Sequence, residues 1–78
     1  MATLIKTDGT EEELKDTELE TLQEAVGGYT ETITFGNQVL IVNEEGRLMG
    51  LPQNETVSLK VCMPIVGDAV ICNVSELS

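Results

Sequence analysis

Side chains able to do acid–base, nucleophilic or metal chemistry are unevenly represented in this chain. It has 14 Asp and Glu, 4 Lys and Arg, 2 Cys and no His. Without His, general acid–base work needs a carboxylate pair held at fixed separation in a cleft. The carboxylates instead form one run, Asp8, Glu11, Glu12, Glu13, Asp16, Glu18, Glu20 and Glu24, relieved only by Lys15. Adjacent Glu residues on a strand or helix diverge rather than converge, so the run is read as a solvated face or a partner-binding patch and not as a metal site. Cys62 and Cys72 lack a neighbouring base that would make a thiolate, and with no His they complete no zinc site. Both are read as apolar strand residues, with pairing across two strands in an oxidising compartment as the alternative. The expectation is a non-enzyme with no cofactor.

The glycines and cations narrow the ligand class further. Gly27-Gly28 follows an apolar-periodic segment instead of opening one, which marks a helix C-cap and not a phosphate-cradling loop. Nucleic-acid binding would have to rest on Lys6, Lys15, Arg47 and Lys60 with Tyr29 and Phe35. A formal net charge of −10 opposes that. Nucleic acid, anionic lipid and polyphosphate are all repelled, and a basic partner surface is attracted. Arg47, the only guanidinium, is read as a structural partner of Glu44 or Glu45, with an anion contact as the alternative.

The elements that position these residues must fit into 78 residues, a single domain over 1–78. A domain of this size buries only about 60% of its unfolded surface, so association with further copies would add stability. The core must come from Leu, Ile and Val, because aromatics make up 3% of the chain. No apolar stretch is long enough to span a bilayer, the N-terminus lacks the regions of a signal peptide, and a cytoplasmic protein is expected. Asn54-Glu55-Thr56 and Asn73-Val74-Ser75 are then chance glycosylation triplets.

Along the chain, Ala2 to Thr7 and Thr10 to Lys15 flank Asp8-Gly9, predicting a two-residue hairpin whose charged return arm is an edge strand. Thr17-Glu18-Leu19-Glu20 matches a capping box, and Leu19, Leu22 and Val26 follow at helical spacing, giving a helix over 18–26. From Tyr29 the period becomes two, with Glu31, Ile33 and Phe35 on one side and Thr30, Thr32 and Thr34 on the other. Gly36-Asn37 turns into the apolar run 38–43, a central strand buried on both sides. Segment 47–54 reads as a short strand and a loop, 57–66 as an apolar stretch broken by Pro64, and 69–74 as the last strand. The predicted class is α+β, a small mixed or antiparallel sheet of about four to six short strands with one short helix packed on it.

Leu22-Gln23-Glu24-Ala25-Val26-Gly27-Gly28-Tyr29, then Ile41 to Leu48, then Gly50-Leu51-Pro52-Gln53-Asn54 and Gly67-Asp68-Ala69-Val70 occur in an order that resembles domain of unknown function 3846, a family of phage and plasmid proteins. The resemblance carries no catalytic residues. It implies a mobile-element accessory protein, and small proteins of that origin often inhibit host defence. Two functional expectations result. In the first, Glu11, Glu12, Glu13, Asp16, Glu18, Glu20 and Glu24 stand in for phosphates and occupy the basic nucleic-acid-binding surface of a host defence protein. In the second, a homo-oligomer sequesters a cyclic-nucleotide immune signal in a pocket formed by Tyr29, Asn43, Arg47 and Asn54.

Overall fold

Alternation of apolar and polar residues sets the strands, and two short amphipathic helices cover what the strands expose. The computed structural model describes residues 2–76. Its elements are β1 (Thr3–Ile5), β2 (Glu11–Glu13), α1 (Leu19–Val26), β3 (Thr30–Phe35), β4 (Gln38–Asn43), α2 (Glu55–Val61), β5 (Ala69–Asn73) and a closing 3₁₀ turn (Val74–Glu76). The five strands form one antiparallel sheet in the order β2-β1-β5-β4-β3. The α+β class and antiparallel sheet are as the sequence predicts. Among the described residues no helix is long and apolar enough to cross a membrane.

The first and last strands pair, with Leu4 opposite Val70, and β4 lies between β5 and β3. Residues 39–43 of β4 are all buried, as expected of a strand covered on both faces. Leu4, Val39, Ile41, Val70 and Cys72 point to one face and pack with Leu22 and Val26 of α1. Ile5, Leu40, Val42 and Ala69 point to the other face and pack with Val57 of α2 and with Ile65. Burial of each such Leu, Ile or Val contributes roughly 1.5–3 kcal/mol. Because β2 and β3 are opposite edges of the sheet, the chain between them must cross a whole face, and α1 lies on that path.

Four local expectations are corrected. The first hairpin has a three-residue loop, not a two-residue turn. Lys6 N–H donates to the Thr10 carbonyl at 2.9 Å, Gly9 N–H donates back to the Lys6 carbonyl at 2.9 Å, and Gly9 takes the left-handed φ of 90° that this closure requires. The capping box does not form. Glu18 is the N-cap of α1 without a side-chain cap bond, while the Thr17 hydroxyl donates to the Glu76 carbonyl at 2.8 Å. Leu19, expected on the apolar side of the helix, is 61% exposed.

The third correction is a second helix, α2, where the sequence suggested a loop and a broken apolar stretch. Asn54 caps it, accepting from Val57 N–H at 3.2 Å, and Val57 anchors it in the core. Cys62 ends it at φ 56°, the left-handed conformation usual for a helix C-cap. Cys62 is therefore an exposed cap residue and not a strand residue, whereas Cys72 is buried in β5; both are free thiols. The fourth concerns 47–54, which is a series of turns ending in an isolated bridge between Gln53 and Val66 and contains no strand.

Candidate functional site

The acidic residues lie on the β2 edge and on the segment leading into and along α1. Glu11, Glu12 and Glu13 are exposed on a strand that pairs, among the described residues, with β1 alone, so both faces of this edge carry carboxylates. Glu12 pairs with Leu4 on the α1 face, and Glu11 and Glu13 share the opposite face with Ile5 and Thr3. Glu20 and Glu24, four residues apart on α1, are exposed and lie one turn from each other, away from buried Leu22 and Val26. Glu18 is exposed and Asp16 half-buried between the two elements.

Two of these seven carboxylates are engaged locally. Lys6 Nζ lies 2.6 Å from Glu12 Oε2, and this hydrogen bond holds the Lys6 ammonium above its ordinary pKa. The acidic run by itself gives no sign of Lys6; the hairpin register sets it diagonal to Glu12, on the same face as Leu4, the direct partner of Glu12. Asp16 accepts from the Thr21 hydroxyl and from Glu18 N–H at 3.0 Å, and these bonds, the hydroxyl first, hold its carboxyl below the ordinary value. Asp16 thus organises the entry to α1, the part expected of Thr17. In the adjoining loop the Thr10 hydroxyl donates to Asp8 at 2.6 Å and likewise lowers its pKa.

The four residues of the alternative pocket do not share one cavity. Tyr29 and Asn43 line a cavity of about 390 Å³ with Gln23, Glu45 and Met49. Asn43 and Arg47 line another of about 380 Å³, where Glu31 and Glu44 also contribute. An anion entering there meets two carboxylates for one guanidinium. Asn54 lines neither, being fully buried and donating to the Ile5 and Gly67 carbonyls. Asn43 is buried too, donating to the Val26 carbonyl at 3.0 Å and accepting from Glu45 N–H at 2.8 Å. Both Asn side chains hold turns in place, and Gly28 leaves room for one of them: a Cβ at Gly28 would meet Asn43 Nδ2 at 3.0 Å. Arg47 forms no ion pair with Glu44 or Glu45 among the described residues. Leu48 and Met63, 87% and 37% exposed, also line the Arg47 cavity, and no periodic signal marked them beforehand.

Among the described residues no three His, Cys, Asp or Glu side chains converge on a possible metal position. Asp68, just before the last strand, accepts from Thr7 N–H at 3.0 Å and ties the first loop to the start of β5. The family model described as Domain of unknown function (DUF3846) matches residues 1–77. The chain belongs to this family. No curated protein and no solved structure matches it. The segments quoted above for the family map in DUF3846 terms onto the end of α1 with its cap, the β4 exit turn, the Asn54 latch and the turn into β5. In this DUF3846 member those segments hold the architecture, and the acidic residues lie mainly outside them.

Proposed function

We propose that this protein is a non-enzymatic accessory protein that binds a basic protein surface through the acidic edge formed by β2 and the outer side of α1. The observation that carries this reading is the exposure of Glu11, Glu12 and Glu13 on an open sheet edge, with Glu18, Glu20 and Glu24 also exposed at the start and on the outer side of α1, the helix packed over β3, β4 and β5. Carboxylates carried on a strand and a helix have their backbone already ordered before contact with Lys and Arg, and a net charge of −10 accelerates the encounter. A surface that normally holds a nucleic-acid backbone has the required chemistry. In a mobile-element setting the target is a host defence nuclease or a similar nucleic-acid-binding effector in the cytoplasm. The cavity at Arg47 is less suited to a cyclic nucleotide, since Glu31 and Glu44 share it.

The test is displacement of duplex DNA from a panel of basic defence nucleases, with the wild-type chain compared with a Glu11→Lys, Glu12→Lys, Glu13→Lys variant and a separate Glu20→Lys, Glu24→Lys variant. Displacement should weaken at least about tenfold in each variant and with rising salt. Displacement that is unchanged by both charge reversals, or absent with every nuclease, removes the proposal.

A further inference from the structure

The sheet has two edges, and they are built differently. β2 offers three residues, all Glu. Short length and charge are the usual protection of an edge against further pairing. β3 offers six residues, Thr-Glu-Thr-Ile-Thr-Phe, with no Pro, no Lys and one charge. Its outer side has no strand beside it among the described residues.

The hydrogen-bond phase of β3 is fixed at both ends. Glu44 N–H donates to the Tyr29 carbonyl at 2.8 Å, and Phe35 pairs with Gln38 across the two-residue turn Gly36-Asn37. In an antiparallel ladder alternate residues exchange both of their backbone bonds, so Glu31, Ile33 and Phe35 bond inward to β4. Thr30, Thr32 and Thr34 present N–H and C=O to the open edge.

We infer that β3 is a self-pairing edge, on which a second copy of this chain adds antiparallel with Thr32 opposite the partner's Thr32. That register is the one in which every outward residue meets another outward residue. Thr30 exchanges two bonds with the partner's Thr34, Thr32 with the partner's Thr32, and Thr34 with the partner's Thr30. Side chains opposite one another then lie on the same face, as a two-fold axis normal to the sheet requires. Glu31 faces the partner's Ile33 rather than the partner's Glu31, so no like charges are directly opposed, and the threonines pair with threonines. The two sheets become continuous and both β2 edges remain outermost, leaving the acidic surface of each copy open. This pairing does not depend on the acidic-edge reading. Its salt dependence has the opposite sign, because screening relieves repulsion between two copies of net charge −10.

Sedimentation equilibrium under reducing conditions tests it, at about 50 mM and about 500 mM salt. The expected mass is twice 8.4 kDa, favoured by high salt. Thr32→Pro removes an outward N–H without touching the β3–β4 ladder, and Thr32→Glu places two carboxylates opposite each other at the axis. Both variants should keep the wild-type circular dichroism spectrum and weaken dimerisation by more than about tenfold. In a Cys62→Ser background, Thr32→Cys should oxidise to a covalent dimer and Glu12→Cys should not. A wild-type chain that stays monomeric at high salt, or a dimer indifferent to both Thr32→Pro and Thr32→Glu, overturns the inference.

Discussion

The Asn54 amide donates to the Ile5 carbonyl at 2.9 Å across 49 residues of sequence, fastening the start of α2 to the first strand. The same amide donates to the Gly67 carbonyl at 3.0 Å, and its oxygen accepts from Val57 N–H. One fully buried side chain therefore joins three segments that have no continuous ladder between them. Asn54→Ala strands two carbonyls and one N–H, and the expected loss is about 2–4 kcal/mol of folding stability. Asn54→Asp retains the cap acceptor but loses both donors and buries a charge, so it should cost at least as much. Urea titration of the three proteins checks the order; an Asn54→Ala chain as stable as wild type would show that water replaces the latch without loss.

Gly67 is the second point at which this latch constrains the chain. Its φ is 79°, and a Cβ placed there would lie 2.8 Å from Leu51 Cδ1. Gly50 has a similar φ of 69° with nothing within 4 Å. Gly50→Ala should therefore cost only the left-handed strain, about 1–2 kcal/mol. Gly67→Ala adds a steric conflict beside Asn54 and should cost visibly more, with each kcal/mol lowering the melting temperature by about 4–8 °C. Equal melting temperatures for the two variants would mean that Leu51 moves aside freely.

Much of this frame is legible in the sequence because it is local. The alternation in 29–35, the apolar run 38–43 and the Gly27 cap at φ 78° each follow from a few neighbouring residues. α2 was not legible, although Asn54, Glu55, Val57, Val61 and Lys60 spell cap, acidic first turn, apolar stripe and basic last turn. A seven-residue helix has little intrinsic stability, and its existence depends on Val57 reaching a cluster built by residues 5, 40, 42 and 69. The same limit explains the candidate site. The acidic run was visible as a run, but its division between a sheet edge and a helix is a property of strand order. Asn43 and Asn54 looked available to a ligand because the partners that saturate them are remote: Val26 for Asn43, and Ile5 and Gly67 for Asn54.

The two cysteines should report the fold directly. Cys62 is exposed at the end of α2, while burial in β5 pushes the Cys72 thiol above its ordinary pKa. A disulfide reagent at neutral pH should modify one thiol per native chain rapidly and the second only on unfolding, because thiolate and access are both required. The rate of the slow phase then measures opening of β5. Two equally fast thiols in the native protein would contradict the burial of Cys72 behind α1.

Acid should separate the local bonds of Asp16 from the charge of the whole domain. Bonds from the Thr21 hydroxyl and Glu18 N–H hold the Asp16 carboxyl below 3.8, its value in the unfolded chain. A carboxyl depressed in the folded state stabilises it fully above the unfolded value, and that contribution is lost as pH falls through the folded one. Asp8, lowered by the Thr10 hydroxyl and N–H, acts in the same direction. Lys6 is raised by Glu12, so its contribution is complete below 10.5 and disappears as pH rises through the folded value. Protonating the other carboxylates relieves the self-repulsion of a chain with net charge −10 and works against the loss from Asp16. The urea midpoint of the wild type alone therefore mixes two opposed effects, and the difference between wild type and Asp16→Asn isolates one. That difference should be full at neutral pH and shrink only as pH falls below 3.8 and through the folded value. A gap that stays constant from neutral pH to acid would mean that Asp16 acts through its shape and not through its charge.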